Sequence, residues 1–121
     1  MQIDSSAIEA GTTSPRLRWI SAVDGSQIRV VPVDRVVYFQ ADHKYTRVVS
    51  ERGELFIRMS LRDISQRLDN EQFWQVHRRA IVNIAFLEAA IREDNRIRII
   101  MRGRSESLTV SEQYHHLFRT M

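Results

Sequence analysis

A mostly β fold of short strands, with one or two short helices, is what the sequence predicts, on three observations. Runs of β-branched and aromatic residues recur at Val36 to Gln40, Tyr45 to Ser50 and Arg96 to Met101, and the first is too short for a helix and apolar on both faces. Turn formers punctuate the chain at Asp24-Gly25-Ser26, Glu51-Arg52-Gly53-Glu54 and Glu93-Asp94-Asn95. A single internal stretch, Leu61 to Leu68, changes to helical spacing.

The elements follow in order. Residues 1–15 are polar and aperiodic and read as a linker or disordered leader, with one folded domain expected over 16–121. Leu17, Trp19 and Ser21, at alternate positions, read as one face of a first strand. Asp24-Gly25-Ser26 then turns the chain into Ile28 to Val31. Val36 to Gln40 and Tyr45 to Ser50 are strands separated by a solvated loop at Asp42-His43-Lys44, and Leu55 to Met59 returns as a hairpin. Leu61, Ile64 and Leu68 give one apolar helical face, and Ser60 followed by Asp63 is a capping-box-like start. That predicts a helix of two to three turns. Phe73, Trp74, Val76, Ile81, Val82 and Ile84 supply apolar mass around His77-Arg78-Arg79. Leu87 to Ile91 and Arg96 to Met101 are two strands, the second with Ile97, Ile99 and Met101 on one face and Arg96, Arg98 and Arg102 on the other. Leu108 to Val110 is the last strand, and Ser111 is placed to cap a terminal helix carrying Tyr114, Leu117 and Phe118. The residues alone predict eight to ten strands.

Composition narrows the function. A chain of 121 residues, 43% hydrophobic, fits one core. It has no cysteine, no apolar run long enough to span a bilayer and no signal-peptide pattern at its start, so a cytoplasmic protein is expected. The glycines are isolated, with no phosphate-binding loop. The four histidines lack metal-ligand spacing, since the adjacent pair His115-His116 points apart on a helix. No catalytic grouping or cofactor fingerprint is visible, and neither enzyme chemistry nor a cofactor is expected. The net charge is +3, yet among eighteen Lys and Arg residues only Lys44 is lysine. Arginine offers a planar fork that grips phosphate or a guanine edge; a GC-rich genome would give the same bias.

Three polar sites are candidates for binding. His77-Arg78-Arg79 is flanked by apolar anchors on both sides, which would present arginine at a defined place with little ordering cost. The plainer reading is a solvated loop with salt bridges, and for His77 a hydrogen bond to backbone. At Asp42-His43-Lys44-Tyr45-Thr46, Lys44 can meet phosphate and Thr46 or His43 a base edge, or the segment is an ordinary loop. The third is Arg102-Gly103-Arg104-Ser105 with the helix start Ser111-Glu112-Gln113; free N–H groups there suit phosphate, whereas Glu112 repels it. The Arg96, Arg98 and Arg102 stripe reads as the wet face of a sheet.

Taken together, these segments resemble the LytTR DNA-binding domain of bacterial response regulators, over about residues 17 to 119. Val36-Val37-Tyr38-Phe39-Gln40-Ala41-Asp42, with Tyr45 after it, is similar to the family's opening strand. Ser60-Leu61-Arg62-Asp63-Ile64 with Leu68 is similar to its helix. Phe73 followed by Val76-His77-Arg78-Arg79-Ala80-Ile81-Val82-Asn83 resembles its central His-Arg motif, and Val110-Ser111 with Tyr114 its closing segment.

The resemblance implies about ten strands in three antiparallel sheets side by side, with loops rather than a recognition helix entering the major groove of double-stranded promoter DNA. It carries contacts over to Lys44 and Thr46, to Arg78, and to Glu112 with Gln113. It also implies an N-terminal regulatory domain in the whole protein and two copies, possible as a homodimer, on repeated half-sites. Three positions depart from the pattern: Gln75 replaces a frequent basic residue, Arg79 a small one, and Glu112 an arginine. The alternative is a protein-interaction domain of the same fold with weak or lost DNA affinity, which the near-neutral charge and Glu112 favour.

Overall fold

The computed structural model describes residues 15–120, so the expected leader lies outside the described residues except for Pro15. The described residues form ten strands in antiparallel sheets of two, five and three strands. They are β1 (Trp19–Asp24), β2 (Gln27–Pro32), β3 (Val36–Asp42), β4 (Tyr45–Ser50), β5 (Gly53–Ile57), β6 (Phe73–His77), β7 (Ala80–Asn83), β8 (Leu87–Glu93), β9 (Arg96–Met101) and β10 (Ser107–Val110). One α-helix, α1 (Leu61–Ser65), and three 3-10 turns at Val33–Arg35, Ile84–Phe86 and Glu112–Phe118 complete the chain.

The central sheet has the order β5-β4-β3-β7-β6. Its middle strand β3 is buried on both faces, which is why its sequence does not alternate. Val36 and Phe39 face a core shared with β1, β2 and α1. Val37 and Tyr38 face a second core shared with β9, β10 and the terminal 3-10 helix. A register shift between Val36 and Tyr38 marks the change of face. The three-stranded sheet, ordered β10-β9-β8, covers this second face with Ile97, Ile99 and Met101, the inward face expected from the alternation.

Asn83 is the polar joint between strands. It is fully buried, donates from Nδ2 to the Val36 carbonyl at 2.8 Å, and accepts at Oδ1 from the Ala85 amide at 3.0 Å. A buried amide left without these partners would cost about 1–3 kcal/mol.

Three local expectations need correcting. In β1 the inward residues are Ile20 and Ala22, while Trp19 is outside, so the first strand faces the other way. Helix α1 starts where expected, with Ser60 Oγ accepting from the Asp63 amide at 3.1 Å, but it spans only Leu61–Ser65. Leu68 reaches the core from the turn beyond it. The terminal helix is a 3-10 helix, and the Ser111 side chain makes no capping bond. Its anchor is instead an edge-to-face contact of Phe118 with Trp74, centroids 5.6 Å apart.

Candidate DNA interface

Both polar loops singled out from the sequence lie at one end of the central sheet. Strand β3 pairs with β4 on one side and β7 on the other, with Gln40 opposite both Arg47 and Ala80. The β3–β4 tip, His43-Lys44, therefore stands beside the β6–β7 tip, Arg78-Arg79. The terminal segment joins them because the Ser111 amide donates to the Val76 carbonyl at 2.8 Å. That carbonyl lies where the β6–β7 register shifts between Gln75 and His77, a bulge that frees it from the ladder.

Within the β6–β7 tip each residue has a distinct part. His77 Nδ1 accepts from the Arg79 amide at 3.1 Å, so in the neutral ring Nε2 carries the proton. This is the backbone-bonded reading of His77. The Arg79 side chain reaches across and donates from Nη2 to the Ala41 carbonyl at 3.0 Å, while the Ala41 amide donates to the Arg79 carbonyl at 2.8 Å. Arg78 is exposed, and its guanidinium has no ion-pair or hydrogen-bond partner among the described residues. Two neighbours hold the turn, and the arginine at its apex is left to the solvent.

The β3–β4 tip is a two-residue turn whose first residue, His43, sits at φ 58 with its ring beside Asp42. Lys44 is exposed, its Nζ 6.0 Å from the Tyr45 ring centroid. Thr46 is where the expectation fails. Its side chain is buried and its hydroxyl donates to the Met59 carbonyl at 2.7 Å, so it braces the loop and offers nothing to a duplex. The same bond brings in a residue that the sequence did not point to: Arg58, one before Met59, lies 5.8 Å from the Tyr45 ring centroid. The hairpin register, Thr46 opposite Ile57, was the only signal for it.

At the third position Glu112 and Gln113 are exposed and Ser111 is half-buried. Arg102 to Ser105, grouped with them from the sequence, lies at the other end of β10, and Arg104 is not free: it pairs with Glu106 at 2.8 Å and Glu54 at 3.4 Å. It belongs to a network in which Tyr38 donates to Glu106, and Arg47 grips Glu54 with two bonds of 2.9 and 2.6 Å. The hydrogen bond from Tyr38, helped by Arg104 and opposed by burial, sets the Glu106 carboxyl at about 2. Burial, reinforced by Glu106, pushes the Tyr38 hydroxyl up. The Arg47 forks hold Glu54 down. This network ties β3, β4 and β5 to the β9–β10 turn, and so fixes the second sheet against the first.

The exposed cations at this end are thus Lys44, Arg58, Arg78 and Arg79, with Asp42 and Glu112 as the nearby acids. Cationic, rigidly framed loops of this kind suit a polyanion.

The sequence is similar to those of known regulators, and the fold to that of a solved domain. An uncharacterized response regulatory protein of Vibrio cholerae is 30% identical over 113 residues, which are 89% of this chain and 43% of that protein. A positive alginate biosynthesis regulatory protein of Pseudomonas aeruginosa is 29% identical over 107 residues, 87% of this chain and 42% of its own length. The chain spans less than half the length of these curated relatives. The solved LytTr DNA-binding domain of a methyl-accepting/DNA response regulator from Bacillus cereus superimposes with a TM-score of 0.76 at 25% identity, covering 85% of this chain and 94% of that one. Its likeness includes the three-sheet arrangement. The sequence also matches the family described as LytTr DNA-binding domain over residues 26–121, and by that match the chain belongs to the LytTR family.

Proposed function

We propose that this chain binds double-stranded promoter DNA sequence-specifically, by loops placed in the major groove, as the effector domain of a bacterial transcription regulator in the cytoplasm. One observation carries the reading: Arg78 is exposed and unpartnered at the apex of a turn whose neighbours are all tied down. A guanidinium so presented loses little freedom on docking and fits the paired acceptors of a guanine edge. Lys44, Arg58 and Arg79 flank it as phosphate contacts, which position without specifying. His43 and His77 stand beside these contacts. Ser111, Glu112 and Gln113 make the third approach, where Glu112 accepts from a cytosine amine or Gln113 takes the role. The domain acts by binding and catalyses nothing. It works as two copies on repeated half-sites, attached to an N-terminal regulatory domain that receives the signal.

The second reading, a protein-interaction domain of the same fold, is favoured by Glu112 and by the net charge of only +3. Titration against mixed-sequence duplex at low salt separates the two. A DNA binder associates weakly and loses that association as salt rises. No association at any salt would leave the second reading. Selection of preferred duplexes from a random pool should then converge on a motif containing a guanine; an unenriched pool would reject base reading.

A further inference from the structure

The β1–β2 hairpin is apolar on both faces. Ile20 and Val31 point into the core, and the other face is fixed by the register, which sets Trp19 across from Pro32, Ser21 across from Val30 and Val23 across from Ile28. Directly opposed residues of an antiparallel pair share a face. On it Trp19 is 59% exposed, Val23 77%, Ile28 70% and Val30 52%. Exposed apolar side chains scattered singly are ordinary, but gathered on one face they mark a contact surface. The DNA interface proposed above does not use them. The hairpin leans on the β4–β5 turn, with Arg29 Nη2 3.5 Å from the Arg52 carbonyl, and that turn closes the end of the sheet opposite Lys44. Trp19 and Val23 also precede the residues matched by the family.

We propose that this face is where two copies of the chain pack on each other. At one end of it Trp19, Val30 and Pro32 line, with Arg35, Glu51 and Arg52, a groove of about 460 Å3. At the other end Val23 and Ile28 stand proud beside the tip turn. Ridge and groove on one surface make it self-complementary. A two-fold axis near Ser21 and Val30 sets the Val23–Ile28 ridge of each copy into the groove of the other. The charges agree with that arrangement, since Asp24 at the tip then meets Arg35 and Arg52 on the partner's groove rim. Their present pairs, Asp24 with Arg29 at 3.7 Å and Arg35 with Glu51 at 3.3 Å, are exposed and exchange at little cost. Two copies joined here leave both loop ends facing outward, free for a duplex.

The inference needs no contact of Arg78, so it stands or falls apart from the DNA reading. Sedimentation equilibrium of the chain without DNA tests it. A reversible dimer is expected by about 100 μM, and Val23→Asp, at a position too exposed to affect folding, should weaken it at least about tenfold. Asp24→Arg should also weaken it, and adding Arg52→Asp should restore it. A monomer throughout the range, or a dimer indifferent to Val23→Asp, overturns the proposal. Arg78→Ala should leave the dimer unchanged; a loss of dimer in that variant would also overturn it.

Discussion

Arg79 and Ala41 hold each other twice, through the Ala41 amide on the Arg79 carbonyl at 2.8 Å and Arg79 Nη2 on the Ala41 carbonyl at 3.0 Å. The pair joins two hairpins, β3–β4 and β6–β7, that have β5 and α1 between them in sequence. It also divides labour between adjacent arginines, Arg79 bracing the turn and Arg78 extending from it.

Arg79→Ala should therefore act on stability as well as on binding. Losing the side-chain bond costs about 1 kcal/mol, readable by urea unfolding. Arg79→Lys keeps the charge but not the planar fork, and it should regain phosphate-driven affinity without regaining the stability. Full recovery of both by lysine would reduce Arg79 to a point charge.

Arg78→Ala should do the opposite. An exposed, unpartnered side chain contributes little to folding, so the unfolding midpoint stays within about 0.5 kcal/mol. Specific DNA binding should weaken by about 1–3 kcal/mol, with relaxed preference at one base pair. A gel-shift titration with preferred and scrambled duplexes measures both. Thr46→Ala is the contrasting case, costing folding stability through the lost Met59 bond while leaving base preference as it was.

Those contrasts show where the sequence was readable. The strands and turns came from local pattern, because β-branched runs and turn formers act on their own few residues. The exposed turn at His77-Arg78-Arg79 is legible because apolar anchors bracket it within one hairpin. What escaped depends on register between distant strands. Arg58 faces the loop only because β5 pairs with β4, and Thr46 turns inward because Met59 offers it a carbonyl. Tyr38 and Glu106, far apart in the chain, meet across two sheets. In β1 both parities carry apolar residues, and pattern alone could not say which one faces the core. The terminal helix is legible in its apolar spacing, but its 3-10 form and its contact with Trp74 are not.

Lys44→Ala tests the phosphate part of the interface. A lysine that neutralises one phosphate contributes about 0.9 to the slope of log affinity against log salt. The variant should lose affinity for specific and mixed duplexes alike, with the slope shallower by about that amount. If the slope is unaltered while affinity falls for one sequence only, Lys44 touches a base instead.

Glu106→Gln probes the network that fixes the second sheet, and with it the β10 end that carries Ser111. The Glu106 carboxyl is held at about 2, below its ordinary 4.5, first by the Tyr38 hydroxyl and then by Arg104. A carboxylate lowered in the folded state stabilises it fully above its unfolded value. That stabilisation is lost as pH falls through the window from 4.5 to about 2. The side chain is 37% exposed, so solvent screening limits the contribution to about 1 kcal/mol. At neutral pH the glutamine variant should be less stable by that amount, and the gap to the parent chain should close as pH drops across the window. Urea unfolding of both proteins over that range measures it. A difference that stayed constant with pH would mean that the side chain acts by shape and hydrogen bonding alone, without its charge.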